Sequence, residues 1–234
     1  KVMNKKNQLF YYEYLELLKK SLLGTLYDES CWEILYDNKK RLFSLPLNLQ
    51  FLRDFITKLF LKKNILLVKK KPFDLAARLE GRGFTNIGYT MTSKKRLDHL
   101  QGCIENIIDK NVEGDFIETG VWRGGSTIFM RALLKVYDVK DRSVWVADSF
   151  SGMPKPKDKY DGSDLSKFLV LNVSLEQVKS NFEKYDLLDD QVKFLRGWFK
   201  DTLPKAPIKK LSLIRLDGDL YSSTMDSLNN LYNK

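Results

Sequence analysis

Apolar positions change their period part-way along the chain. Residues 8–27, "QLFYYEYLELLKKSLLGTLY", repeat at helical spacing and predict an amphipathic helix that stops near Gly24. Residues 46–72 contain "LNLQFLRDFITKLFLKKNILLVKKK", which predicts one or two further amphipathic helices with a basic end. Such a segment can lie on a membrane surface, but packing of its stripe on the chain's own core is the preferred reading. "RLEGRGFTNIGYTM" (Arg78–Met91) is punctuated by glycine and reads as a loop. "SKKRLDHLQGCIENIIDKN" (Ser93–Asn111) follows as a helix opened by an N-cap serine.

From Gly114 the pattern becomes strand–helix–strand. "GDFIETGV" and "SVWVADSF" are short apolar strands separated by the helix "GGSTIFMRALLKVY", which glycines and a serine open. "SLEQVKSNFEKY" predicts a helix with a capping box, Ser174 to Gln177. "QVKFLRGWF" and "KLSLIRLDGD" are the third and fourth strands. Continuously apolar strands alternating with helices predict an α/β fold with a doubly wound, mostly parallel sheet. Residues 1–110 form a helical N-terminal extension or lid region and 111–234 the sheet-containing core. Only four strands are readable, so either the fold is small or further C-terminal strands are absent from this chain.

Charge modifies this picture only slightly. The net charge is +10, and the first 110 residues hold 21 Lys/Arg against 12 Asp/Glu. A basic half can address nucleic acid, an anionic membrane or an acidic partner. The lysines are spread over several helices, however, and no arginine-rich arm or repeated aromatic platform accompanies them. A solvated surface without a nucleic-acid partner is the expectation. Cys31 and Cys103 stand alone without metal-type spacing and read as small buried hydrophobes of a reducing, cytoplasmic compartment. The lone His99 lies in a charged helix and is not expected to be catalytic. No apolar run reaches 18 residues, so no membrane span is expected, and no signal peptide is visible.

Four constellations carry chemistry. In "FIETGVWRGGST" (Phe116–Thr127) a strand ends in Glu118, and Gly120, Gly124 and Gly125 lead into a helix. Glycines let backbone approach a ligand, and a helix start presents free N–H groups. The spacing matches neither the dinucleotide fingerprint nor a phosphate loop. Glu118 suits an ammonium group better than a phosphate, although a plain tight turn would leave the same glycines. Asp148 closes the second strand, where a carboxylate commonly accepts from ribose hydroxyls; capping of the turn "SFSGMP" is the alternative. Trp198 and Phe199 of "RGWF" can stack on a purine or fill the core. "DGD" (Asp217–Asp219) offers oxygen ligands for a hard cation such as Mg²⁺, or a turn in which Asp219 or Ser222 caps the next helix.

Taken together, "YTMTSKKRLDHLQGCIENIIDKNVEGDFIETGVWRGGSTIFMRALL", "VWVADSFSGMPKP", "VKFLRGWFKDTLP" and "LIRLDGDLYSSTMDSL" resemble the macrocin O-methyltransferase family. Its members methylate sugar hydroxyls in macrolide and aminocoumarin antibiotic biosynthesis. "YLELLKKSLLGTLY" resembles that family's N-terminal helix, so the likeness covers about residues 11–27 and 76–234.

The resemblance implies a Rossmann-like class I methyltransferase that uses S-adenosyl-L-methionine and Mg²⁺ on a sugar or glycoside acceptor, working as a homodimer. By position, it assigns Glu118, Thr119, Gly120, Val121, Gly125 and Ser126 to the methionine portion of the cofactor. Asp148 and Ser149 would meet ribose, and Ser174 with Gly197, Trp198 and Phe199 would border adenine. Thr90 and Met91 would close over the cofactor. Asp217 would be the first metal ligand and the general base, whereas Asp219 receives no clear role. The family's remaining ligands, an adjacent Asp pair after a further strand, are not in this sequence. Residues about 28–75 resemble an insertion, so acceptor preference does not transfer.

Overall fold

The computed structural model describes residues 5–27, 31–34, 55–56, 59–60, 63, 65, 68–82 and 85–234. Its centre is a four-stranded sheet of β3 (Asp115–Thr119), β4 (Val144–Asp148), β5 (Val192–Arg196) and β6 (Leu211–Leu216). The strands run in the order β5-β4-β3-β6 and every neighbouring pair is parallel. The chain therefore winds from β3 outward through β4 to β5, then returns to place β6 on β3's other side. That reversal opens a crevice at the carboxyl ends of β3 and β6, where open α/β sheets take their ligands.

Alternation along the strands gives each face its own core. Phe116, Val144 and Val146 join one cluster, with Leu15, Leu18 and Leu22 of α1 (Lys5–Leu23) and Ile128, Phe129 and Leu133 of α4 (Gly125–Val136). Leu97, Leu100 and Ile104 of α3 (Lys94–Asp109) complete it. Ile117, Trp145 and Ala147 face the other way, onto Leu203, Ile208 and Leu231. Each such fully buried side chain contributes roughly 1.5–3 kcal/mol. The N-terminal helix thus shares a core with the sheet instead of standing apart. Its buried Lys19 reaches Glu16 at 2.5 Å and Asp98 of α3 at 2.6 Å, joining the two helices by charge.

Local signals behave as their chemistry predicts at several ends. Ser93 Oγ accepts from Arg96 N at 3.1 Å and starts α3. Ser174 Oγ accepts from Gln177 N at 3.1 Å at the start of α5 (Leu175–Glu183). The reciprocal half of the expected box is not made, because Gln177 Nε2 donates to Asn181 Oδ1 one turn on. A short α2 (Leu75–Leu79) is capped by Asp74.

Two expectations are corrected. The basic end of the 46–72 segment is not helical: Val68–Lys71 is strand β2, paired antiparallel with β1 (Cys31–Ile34). The ladder to residues far back in the chain overrides a helical pattern that contains a β-branched valine and no cap. Residues 55–56 and 59–60 are helical; the rest of the predicted helices lies largely outside the described residues. Cys103 is only half-buried, because its position on α3 points toward the exposed His99 one turn earlier, with Sγ 3.8 Å from the ring nitrogens. The side chain of Cys31 lies outside the described residues. Among the described residues no helix is long and apolar enough to cross a membrane.

Candidate functional site

The turn after β3 is built from main chain. Gly120 has φ +88°, and a Cβ there would lie 2.1 Å from the Asp217 carbonyl oxygen, so only glycine fits. Gly124, at φ +86°, is the N-cap of α4 and offers no side-chain cap. The first amide of that helix, Gly125 N, donates instead to Tyr89 O at 2.9 Å, and a Cβ at Gly125 would meet that oxygen at 2.6 Å. The strip 89–92 is held in place by Arg78, whose guanidinium donates to the carbonyls of Leu23, Thr90 and Thr92. Thr90 is buried and Met91 half-buried beside this turn. Ser126 is buried in the first turn of α4.

Asp148 ties the end of β4 to the same turn. Its Oδ2 accepts from Val121 N at 2.8 Å and Trp122 N at 3.4 Å, while Oδ1 accepts from Phe150 N at 2.9 Å and Ser149 Oγ at 3.4 Å. The carboxylate therefore braces two loops at once, and its capping of "SFSGMP" and its place in the crevice coexist.

Charge concentrates at β3 and β6. Glu118 and Arg215 are register partners on these adjacent strands. Glu118 is 2% exposed; its Oε1 accepts from Arg215 Nη1, which also donates to Asp217 Oδ2 at 2.7 Å. Glu118 Oε2 is buried with no hydrogen-bond partner. Burial pushes the Glu118 carboxyl up to about 7; Arg215 opposes this, and the negative charges of Asp217 and Asp148 add to it. Burial also lifts the Asp219 carboxyl, and Asp217 adds to that rise. Nothing in the sequence pattern marked Arg215 as part of this cluster.

A cavity of about 320 Å³ opens at the crevice. Gly120, Asp148, Ser149, Gly197, Trp198 and Phe199 line it, and so does Asp217. Trp198 is 39% exposed there, on the turn between β5 and the short helix α6 (Phe199–Thr202). The structure thus brings together seven of the residues singled out from sequence. The other eight do not line the cavity. Glu118, Thr119, Val121, Ser126 and Thr90 are buried behind it; Gly125 and Met91 lie against the β3–α4 turn. Thr119 Oγ1 meets Ser227 Oγ, and Ser174 is an exposed cap of α5.

Sequence reasoning missed the rest of the cavity lining. Met153, Lys155 and Lys157 line it from the β4–α5 connection, and Ser222, Ser223 and Asp226 from α7 (Tyr221–Leu231). Neither Asp219 nor Ser222 caps α7. Its N-cap residue is Leu220, without a side-chain bond, and Asp161 from the distant connection accepts from Ser222 N at 2.8 Å. Asp161 lies 61 residues before Ser222, so no local signal marked it as the partner of this helix.

The groups present fit S-adenosyl-L-methionine. A buried carboxylate oxygen without a partner, Glu118 Oε2, suits an ammonium group; Gly120 permits close backbone approach, and Trp198 offers a flat face. Mg²⁺ is a different case. Among the described residues no group of three or more His, Cys, Asp or Glu could hold a metal ion, and Asp217 already spends one oxygen on Arg215. The described residues do not assemble a Mg²⁺ site.

Comparison with known proteins returns related chains. The family model described as Macrocin-O-methyltransferase (TylF) matches residues 11–234. A Streptomyces olivaceus protein, the 8-demethyl-8-(2,3-dimethoxy-alpha-L-rhamnosyl)-tetracenomycin-C 4'-O-methyltransferase, is 55% identical over 163 residues, 68% of this chain and 62% of its own length. The demethyldecarbamoylnovobiocin O-methyltransferase of Streptomyces niveus is 53% identical over 162 residues, 67% of this chain and 62% of its own length. The chain thus spans less than two thirds of these relatives. The solved structure of the O-methyltransferase NovP superposes with a TM-score of 0.74 at 42% identity, covering 96% of this chain and 79% of that one.

Proposed function

The chain belongs to the macrocin O-methyltransferase family, and from that premise we propose that it transfers a methyl group from S-adenosyl-L-methionine to a hydroxyl of a glycosylated small molecule. The observation that carries this reading is one cavity lined by Asp217 together with Gly120, Asp148 and Trp198. The named activities of the relatives, all O-methyl transfers, support it.

The cofactor supplies an electrophilic methyl carbon. On the protein side, the main chain at Gly120 and the buried Glu118 carboxylate hold the amino-acid end, with Glu118 Oε2 accepting from the ammonium. Asp148 and Ser149 border the ribose, and Gly197 to Phe199 the base. Asp217 accepts the proton of the attacking hydroxyl through the oxygen that Arg215 leaves free. The new C–O bond forms as the C–S bond breaks, giving a methyl ether and S-adenosylhomocysteine. Holding both reactants in line supplies much of the rate.

The Mg²⁺ dependence implied by the resemblance belongs to this proposal only as a test, because the described residues offer Asp217 without a ligand set. So does the homodimer, which sedimentation reads. The division at residue 110 is part of the same reading: the extension lays Thr90 and Met91 beside a core that carries the cofactor. The experiment is incubation with S-adenosyl-L-methionine and a panel of glycosides, followed by mass spectrometry. A methylated glycoside is expected. Its absence with acceptors of every sugar class, or undiminished turnover in Asp217→Ala, refutes the reading; turnover indifferent to chelator removes the metal.

A further inference from the structure

Besides the residues assigned to the cofactor, the cavity wall is made from two pieces far apart in sequence. One is the connection after β4, which contributes Met153, Pro154, Lys155 and Lys157; the other is the first turns of α7, with Ser222, Ser223 and Asp226. Asp161 stands between them, 5% exposed. Its Oδ1 accepts from Ser222 N at 2.8 Å, and its Oδ2 from Ser222 Oγ at 3.1 Å, Lys157 N at 2.8 Å and Asp158 N at 2.9 Å.

Each of these bonds has a physical reason. The first amides of a helix lack intrahelical acceptors, and Leu220 at the N-cap has no side-chain oxygen to offer. A carboxylate there also meets the positive end of the helix dipole. Amide donors from Asp158, Ser222 and Lys157 hold the Asp161 carboxyl far below the usual carboxylate range, so the latch is ionised at neutral pH. A second contact flanks the first: the rings of Tyr160 and Tyr221, each one residue before the latch partners, meet edge to face at 5.3 Å. Asp161 bonds to none of the residues assigned to the cofactor.

We propose that Asp161 is a positioning residue that locks the 152–161 connection to the start of α7 and thereby fixes the acceptor-side wall of the cavity. This rests on the methyl-transfer reading for the word "acceptor"; the latch itself does not. Asp161 touches no reacting atom. It sets where Met153 and Pro154 stand relative to Ser222, Ser223 and Asp226, and so the shape that a glycoside enters.

The test uses the intact chain and Asp161→Ala, with Ser222→Ala as a milder variant that removes only one bond, and Asp164→Ala as a control on the same connection. Limited trypsin digestion reads cleavage after Lys157 and Lys159, and hydrogen exchange reads the amides of residues 222–224 against those of 120–125. Loss of charged hydrogen bonds of this kind corresponds to about tenfold or more in local opening. Asp161→Ala is therefore expected to be cut about tenfold faster and to lose protection at 222–224 alone; Ser222→Ala changes in the same direction by less, and Asp164→Ala matches wild type. Affinity for S-adenosylhomocysteine stays within about threefold, since local opening spares the other side. Where a rhamnoside is turned over, its KM rises more than kcat falls. Wild-type cleavage in Asp161→Ala, or equal loss of protection at 120–125, overturns the latch. Should Asp161→Ala not fold, wild-type behaviour of Ser222→Ala overturns it equally. A wild-type chain that binds no S-adenosylhomocysteine refutes the methyl-transfer reading and leaves the digestion to judge the latch alone.

Discussion

Arg215 faces Glu118 across the boundary between β6 and β3, as its register partner on the neighbouring parallel strand. The pairing puts a guanidinium where a carboxylate would otherwise be buried without compensation. Removing one member of such a pair costs far more than the pair itself contributes. The arrangement also leaves Glu118 with one spare, buried oxygen, and that oxygen generates the first prediction.

The ammonium of S-adenosylhomocysteine should prefer an ionised Glu118. Because burial holds this carboxyl near 7, affinity is expected to rise as pH increases through about 7. 5'-Methylthioadenosine, which lacks the amino-acid portion, should bind with no such dependence. Glu118→Gln should weaken S-adenosylhomocysteine by roughly 10–100-fold and flatten the profile, as loss of a charged hydrogen bond does. Calorimetry at pH 6, 7 and 8 is the measurement, with those values spanning about one unit on either side of the shifted carboxyl. The folded state obeys the opposite sign: an acid raised on folding binds more protons than the unfolded chain, so this group favours folding at low pH and that benefit is lost as pH rises toward 7.

Asp217→Asn should lower turnover sharply while sparing cofactor binding. A positioned base contributes about 10²–10⁴ in rate. kcat is expected to fall by that range and the Kd for S-adenosylhomocysteine to change by less than about threefold, because the Asp217 side chain bonds to Arg215, and its main-chain bond to Thr119 survives the substitution. Parallel loss of both would show that Asp217 holds the fold, not the proton.

Away from the cavity, Arg131 and Asp189 form a two-pronged pair, with Nε to Oδ1 at 2.9 Å and Nη2 to Oδ2 at 2.5 Å. Hydrogen bonding to Arg131 holds the Asp189 carboxyl below its usual range. A carboxyl depressed on folding adds stability above its unfolded value and loses it as pH falls through the folded one. Asp189 is 42% exposed, so screening limits the contribution to about 1 kcal/mol. Asp189→Asn should lower the urea midpoint at pH 7 and match wild type once both are acidified below the carboxylate range.

Gly120→Ala should be the most damaging single methyl in the core sheet. The new Cβ would meet the Asp217 carbonyl at 2.1 Å, at a φ of +88° that alanine avoids. Backbone strain of this kind costs about 1–3 kcal/mol before the clash is counted. A lower melting midpoint together with loss of S-adenosylhomocysteine binding is expected; a variant as stable as wild type would contradict the packing described above.

The four core strands were legible because each is a short, continuously apolar run, and Ser93 and Ser174 were legible as caps because the signal sits within one helical turn. Arg215 was not. Its partner Glu118 lies 97 residues earlier, and no local period reports the register between strands that are not consecutive. Asp161 was hidden for the same reason, 61 residues from the helix it caps. Val68–Lys71 misled because a run of lysines carries no alternation, and its strand identity comes wholly from β1. The crevice could be placed from the topology, whereas the rest of its lining depended on how the β4–α5 connection and α7 meet, which no local pattern reports.

Gly120 and Asp217 touch through main chain alone. Asp217 N donates to Thr119 O at 2.9 Å, and no side chain separates the turn after β3 from the end of β6. The spacing between the β3 turn and Asp217 is thus gauged by peptide geometry, which has almost no give, while the wall at Met153 and Ser222 is gauged by side chains and the Asp161 contacts. The molecule keeps its ruler and its mould in different materials: the mould can be recast for a differently shaped ligand without moving a mark on the ruler.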